Sequence, residues 1–514
     1  MTHTVASPSL LHRWAPLFAF AAGGLTVLSF APFGFWPLQI ATLAFVFWLV
    51  MRQDSVKRSM LTGWAFGCGW AIFGVYWLFI SMHFYGGMPA WMAALAVVVL
   101  GMVLGIYTAL AMGTAAWFKR RGASPPLLLL AILPAAWMLN EWLRGWMFTG
   151  FPWLVSGYAH TGNALSGYAP VVGVYGLGWL AALLAGSLVL LQAKRFAIVI
   201  IVIILGVGAG LRTVGWTTPH GEPISVRLLQ GNIAQEMKFE IETISDTLAL
   251  YYKMVSEKPA DLIATPETAL PLLSTQLPEN YLPGLAAFAE QSGSHVALGL
   301  PISDGPGQYA NSVIGFSPDP AAEPYRYDKH HLVPFGEFIP LGARWFVNMM
   351  NIPLGDFTRG DLLQQPFAVK DQWVMPNICY EDLFGEEIAD QLAAAIFNGH
   401  PESTIMLNMS NIAWFGNTIA LPQHLQISQM RALEMRRPML RATNSGTTAV
   451  IDARGKISDV LEPYTQGSLD TTVQGYSGWT PYILYGNTLV VALALLLFAG
   501  IHFALRQRAT RLRQ

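Results

Sequence analysis

Residues 372–379 read QWVMPNIC, a mostly apolar run that stops on a cysteine and gives way at once to the turn-like YED of 380–382. A run this short has the length of a strand, and its near-continuous apolar character suits a strand buried on both faces. The surrounding sequence repeats the pattern in SVRLLQGN (225–232), ADLIATPET (260–268), HVALGLPI (295–302), NSVIGFS (311–317), TIMLNMSN (404–411), MLRATNSG (439–446) and TTAVIDARG (447–455). Helix-like segments, 240–256 and 420–437, lie between them. Such a mixture predicts an α/β layered domain, and in these folds chemistry collects at strand ends. Three of the runs end in useful residues: Glu267, Cys379 and Asn411.

Outward from this domain the composition changes. All but two of the 31 acids lie between 222 and 470; the exceptions are Asp54 and Glu141. The whole chain of 514 residues is 53% hydrophobic and only 12% charged, about half the charge of a soluble protein. A water-soluble domain is thus bracketed by membrane. A net charge of −1 gives no global field for nucleic acid. Two distant cysteines, Cys68 and Cys379, form no disulfide or metal-ligand pattern, and no cofactor is implied.

Eight segments are expected to cross the bilayer: 11–29, 33–51, 60–80, 90–117, 125–142, 168–192, 195–213 and 483–505. The basic clusters Arg52/Lys57/Arg58, Lys119/Arg120/Arg121, Lys194/Arg195 and the arginines of the C-terminal tail all follow even-numbered segments. The intervening loops, such as 81–89 (SMHFYGGMP), are nearly free of Lys and Arg. By the positive-inside rule both termini are cytoplasmic and the soluble domain lies outside the cytoplasmic membrane. The expected division is 1–213 for seven helices, 214–482 for the α/β domain and 483–514 for the last helix and tail. In the membrane part, EWLRGWMFTGFPW (141–153) places Glu141 and Arg144 at helical spacing. Ionisable groups there are functional candidates, or an interfacial ion pair beside an aromatic belt.

A cysteine leaving a strand into a turn can expose its sulfur and offer the next backbone N–H to an oxyanion, as in a nucleophile elbow. Glu267 could act as general base and then general acid, and the Lys329 ammonium could stabilise a thiolate and a tetrahedral oxyanion. A Cys–His arrangement with His330, His331 or His424 as base is equally compatible with the residues. The apolar segment 344–357 (RWFVNMMNIPLGDF), flanked by Gly342 and Gly360, is a candidate lid.

Several of these stretches carry a resemblance. TPETAL around Glu267, KHHLVPFGEFIP from Lys329 and ICYED around Cys379 resemble the nitrilase superfamily, with its αββα sandwich and Glu–Lys–Cys triad. Together with NMSNIAWFG (408–416), the stretch 423–451, FYGGMP (84–89) and LRGWMFTGFPW (143–153), they make the whole chain similar to the apolipoprotein N-acyltransferase family, a membrane-bound branch of that superfamily. The resemblance implies Cys379 as nucleophile, Glu267 as base and acid, and Lys329 as oxyanion-side cation. It implies supporting roles for Glu337, Tyr380, Glu381 and Asn311, and a substrate-side role for Trp153. Phe239 stands where relatives often carry Trp, and Ile412 replaces an Asp of the family pattern. The implied partners are a phospholipid acyl donor, typically phosphatidylethanolamine, and a diacylglyceryl apolipoprotein acceptor.

Overall fold

The computed structural model describes residues 13–511, apart from 239, 341 and 343–355. The expected lid therefore falls largely, and Phe239 wholly, outside the described residues. The chain divides into two compact units: Met1–Tyr76 with Trp91–Val214 and Asn487–Gln514, and Trp77–Ala90 with Gly215–Gly486.

The first unit is helical. Among the described residues, Ala90–Arg120, Pro125–Arg144, Ala164–Leu191 and Thr488–Arg511 are long and apolar enough to cross a membrane. Val56–Gly74 adds a fifth if joined to Leu78–Tyr85. Ala15–Ser29, Trp36–Met51 and Ala197–Leu211 are apolar but shorter. At 1.5 Å per residue they fall short of a hydrocarbon core of about 30 Å. Four or five spans therefore meet the length requirement rather than the eight expected. The helices turn large apolar side chains outward, including Val202 and Ile203, and Leu495, Leu496 and Phe503. A lipid surround accounts for such faces; water does not. Inside, glycine permits backbone contact between helices: a methyl group on Gly23 or Gly69 would lie 2.0 Å from the carbonyl oxygen of Phe66 or Phe20.

The third expected span, 60–80, needs correction. Its helix ends at Gly74, and Val75 leaves helical geometry at φ −124°, ψ 23°. The hydropathy continues past that break for a different reason. Trp77 is buried and its ring lies 4.3 Å from that of Phe415, and Tyr85 meets Trp414 at 5.9 Å, so this segment completes the second unit. The expected loop 81–89 is likewise helical over Ser81–Tyr85.

The second unit is an αββα sandwich. Its strands are β1 Thr218–Gln230, β2 Leu262–Ala264, β3 His295–Gly305, β4 Gln308–Phe316, β5 Tyr325–Asp328, β6 Phe367–Val369, β7 Gln372–Ile378, β8 Ile405–Ser410, β9 Met439–Thr443, β10 Ala449–Ile451, β11 Ile457–Val460 and β12 Gly467–Ser477. One sheet has the order β12-β1-β2-β3-β4-β5, the other β11-β10-β9-β8-β7-β6. Each holds a parallel trio, β1–β2–β3 or β7–β8–β9, flanked by antiparallel neighbours.

Strand alternation builds three layers of core. Val226, Leu228, Leu262 and Ala264 meet Val374, Ile378, Leu407, Met409 and Leu440 between the sheets. Leu229, Ile263, Val296 and Leu298 point the other way, onto helices Ile241–Ser256 and Tyr281–Ser292. Met375, Met406 and Met439 do the same for helices Gly385–Phe397 and Ala420–Met435. The last expected span begins at 483, whereas the long helix is Thr488–Arg511 and Pro481–Tyr485 is a separate short helix. Its Tyr482 and Ile483 join this outer core.

Candidate active site

The carboxyl ends of β2, β5 and β7 bring the predicted residues together. Glu267 follows β2, Lys329 follows β5, and Cys379 follows β7 at φ 52°. A non-glycine residue at positive φ is costly and needs surrounding structure to hold it. The Lys329 ammonium donates to Glu267 Oε1 at 3.1 Å and to Glu337 Oε1 at 2.8 Å. Asn311, on β4, donates its amide to the same two oxygens at 2.8 Å each. Glu337 uses its second oxygen to accept from the Val333 N–H, 2.8 Å away. Its geometry is therefore fixed from both sides.

The second sheet reaches Glu267 as well. The backbone N–H of Asn411, just after β8, donates to Glu267 Oε2 at 2.9 Å. The same amide acts on the Cys379 thiol, so Glu267 and Cys379 share a neighbour. Cys379 is partly exposed, whereas Glu267 and Lys329 are buried.

Glu381 spans the two sheets. Its Oε1 accepts from the N–H groups of His330 at 2.7 Å and His331 at 3.2 Å, next to Lys329. Its Oε2 accepts from the Ile378 N–H at 2.6 Å and the Tyr327 hydroxyl at 2.9 Å. One carboxylate thus ties the lysine turn to the cysteine turn. Burial pushes Glu381 up to about 7, against the pull of these N–H donors and Lys329. Tyr380 buries its ring against Phe384, centroids 5.2 Å apart.

Sequence reasoning passed over Lys238. It lies in the loop after β1, is buried, and donates to the Glu267 carbonyl oxygen at 3.3 Å. Nothing in QEMKFE (235–240) marks it, because a lysine in a polar loop reads as solvated. Its position beyond the end of an apolar run was the available signal. Two carboxylates, Glu267 and Glu337, are therefore balanced by two ammonium groups.

The electrostatics follow. Burial would raise Glu267, but Lys329 and Lys238 outweigh it and hold the carboxyl below its usual range. Burial would lower Lys329, but Glu267 and Glu337 outweigh it and raise it. Lys238 is pushed down to about 8 by burial, against the pull of Glu267 and Cys379. Burial, then Glu267, push the Cys379 thiol well above its ordinary value, with Lys329 opposing. The resting pair is a thiol and a carboxylate.

The three histidines have other partners. His330 Nδ1 lies 2.8 Å from the Gly360 carbonyl oxygen. His331 Nδ1 is 2.8 Å from Glu387, and its ring stacks on Phe384. His424 meets the Cys379 carbonyl through Nε2 at 3.2 Å and Arg441 through Nδ1 at 2.9 Å. The membrane-side candidates belong to the other unit. Glu141, in helix Leu133–Arg144, accepts from the N–H and hydroxyl of Ser156 at 2.8 Å each. Among the described ion pairs none joins it to Arg144, and Trp153 is buried.

Known proteins resemble the chain in both units. Residues 22–187 match the apolipoprotein N-acyltransferase N-terminal domain, and residues 225–479 match carbon-nitrogen hydrolase. A Ralstonia nicotianae protein named apolipoprotein N-acyltransferase is 48% identical, covering 98% of this chain and 96% of its own. Its Nitrosomonas europaea namesake is 44% identical, over 94% and 96%. Among solved structures, a Nesterenkonia amidase aligns at 16% identity and TM-score 0.35, over 49% of this chain and 92% of its own. With a match of this identity running through both units, the chain belongs to the apolipoprotein N-acyltransferase family.

Proposed function

We propose that the protein moves a fatty acyl chain from a phospholipid, with phosphatidylethanolamine the expected donor, to the α-amino group of the diacylglyceryl-cysteine that begins an apolipoprotein. The observation that carries this reading is the convergence of Glu267, Lys329 and Cys379 in a chain whose relatives bear that name.

In the first half-reaction the Cys379 sulfur attacks the ester carbonyl carbon while its proton passes to Glu267. The oxyanion is held by the Lys329 ammonium and the Tyr380 N–H. Collapse breaks the ester C–O bond, the leaving glycerol oxygen takes the proton from Glu267, and a thioester remains with a lysophospholipid released. In the second half the neutral amine attacks the thioester, Glu267 takes a proton from nitrogen, and that proton returns to sulfur as the amide forms. Glu337 and Asn311 serve by fixing Lys329 and Glu267, and Glu381 by holding the two turns in register.

The reading includes eight membrane crossings, cytoplasmic termini, and the division 1–213, 214–482 and 483–514, with the middle part, joined by 77–90, outside the cytoplasmic membrane. The distribution of Lys and Arg supports that orientation. Trp153, Arg144, Glu141 and Phe239 are its proposed substrate-side residues.

Intact-mass spectrometry of the full-length protein with phosphatidylethanolamine tests the chemistry. The expected result is an acyl adduct on the Cys379 peptide that is discharged by a diacylglyceryl-cysteine peptide. Equal loss in buffer alone would make the protein a hydrolase. Full activity in Cys379→Ser would remove the nucleophile assignment.

A further inference from the structure

Beneath the nucleophile lies a buried polar network that the acyl-transfer steps do not use. Arg441, on β9, is fully buried in the sandwich. Its Nη2 meets His424 Nδ1 at 2.9 Å, and its Nη1 meets Asn408 Oδ1 at 3.3 Å and Asp382 Oδ2 at 3.4 Å. The Ser428 hydroxyl, one turn along the helix from His424, also contacts Arg441 and Asp382. On the far side of the network, His424 Nε2 and Asn408 Nδ2 both reach one atom, the Cys379 carbonyl oxygen, at 3.2 and 3.4 Å.

Donor chemistry fixes the direction of every bond. A guanidinium can only donate, so His424 Nδ1 must accept and Nε2 must carry the proton. By the same logic Asn408 turns its oxygen to Arg441 and its NH₂ to Cys379. Burial and then the Arg441 charge hold His424 well below the ordinary histidine range, so the ring stays neutral; Lys329 adds to this, and the contact with Cys379 opposes it. Two oriented donors therefore grip the carbonyl of a residue held at φ 52°.

We propose that Arg441, His424 and Asn408 form a clamp that positions the Cys379–Tyr380 peptide, and through it the Tyr380 N–H that receives the oxyanion. The link is peptide planarity. The C=O of Cys379 and the N–H of Tyr380 share one rigid plane and point in opposite directions, so fixing the oxygen fixes the aim of the N–H. An oxyanion donor must sit where charge develops, not where the ground-state carbonyl lies, and its aim is worth a large factor in rate. His424 is thus a positioning residue acting from behind the nucleophile rather than a base in front of it. This inference rests on Cys379 being the acylated nucleophile.

The test compares two reactions of the same sulfur in the full-length enzyme. Alkylation by iodoacetamide needs a reactive sulfur but no oxyanion donor; thioester formation with phosphatidylethanolamine needs both. In His424→Phe, single-turnover acylation should fall about 10²-fold. The donor KM should stay near its wild-type value, and alkylation should stay within about threefold. His424→Gln keeps an N–H donor near the Nε2 position and should recover part of the loss. Should the Phe variant fail to fold, the acylation-to-alkylation ratio of His424→Gln decides, with a drop of about tenfold expected. Parallel loss of alkylation and acylation would overturn the proposal, since His424 would then act on the sulfur. So would an unchanged ratio. Absence of any thioester on the unmodified enzyme would instead sink the acyl-transfer reading, and is read before any variant.

Discussion

The two sheets of the sandwich contribute to the site in opposite ways. The first brings charge: Glu267, Lys329 and Lys238 follow its strands, and Glu337 and Asn311 close around them. The second brings Cys379 and surrounds its peptide with donors whose orientation Arg441 dictates. The charged half is balanced internally, two carboxylates against two ammonium groups. Taking the thiol proton gives it one positive charge, which offsets the negative charge that passes from the sulfur to the oxyanion. The cysteine half starts neutral and must become anionic for an instant. The lesson is that the costly charge is assembled permanently on one sheet, and the other needs only correct aim.

Substitutions on the charged sheet should therefore have the largest effects. Glu267→Gln keeps the shape but removes the proton acceptor, and should slow thioester formation by about 10³- to 10⁴-fold in a single-turnover assay. A loss below about tenfold would move the base elsewhere. Lys329→Met leaves Glu267 and Glu337 buried without the ammonium they share. It should cost about 3–5 kcal/mol of stability besides activity, read as a lower thermal midpoint of the purified protein. If the midpoint is unchanged, the carboxylates are not both ionised in the folded state.

Lys238 offers a finer test, through pH. Its folded value of about 8 means the ammonium is present below that pH and lost above it. Glu267 and Cys379 are the groups it faces. Lys238→Gln should slow thioester formation about tenfold near pH 7. The wild-type advantage should shrink as pH rises from about 7 to about 9, since the wild type is losing the same charge. A ratio independent of pH across that range would show that Lys238 acts by packing. The smallest effect belongs to His330→Asn. Its Nδ1 rests on the Gly360 carbonyl, so acylation should stay within about threefold with an unaltered pH profile. A lost acid limb would restore a Cys–His mechanism.

Much of the second unit was readable in advance because both-face burial writes itself as apolar runs. SVRLLQGN, HVALGLPI and TIMLNMSN all fall on strands, and 240–256 and 420–437 contain helices. β12 was not singled out: GSLDTTVQGYS mixes polar and apolar residues, as suits an edge strand with half-exposed faces. Helices Tyr281–Ser292 and Gly385–Phe397 escaped because one apolar stripe does not stand out beside continuous strand runs. At the site, Glu267 and Cys379 were visible as residue types at the ends of runs, and Lys329 as a lysine just before an apolar stretch. Lys238 and Arg441 were not, since their importance lies in being buried, which local sequence does not display. The 60–80 segment misled for a related reason: apolar residues of Trp77–Ile80 look the same whether they face lipid or a neighbouring core.

That segment has a practical consequence for anyone who would cut the protein. Residues 77–90 leave the membrane helices in sequence yet belong to the folded body that begins again at 215. Trp77 and Met88 are each only 1% exposed there. The body is therefore discontinuous in the gene, and no single stretch of coding sequence specifies it. A polypeptide started at Gly215 would lack Trp77 and Tyr85 and uncover the rings of Phe415 and Trp414, inviting aggregation where the intact chain has a finished surface. A soluble version would have to carry 77–90 back, by fusion or by supplying it as a peptide.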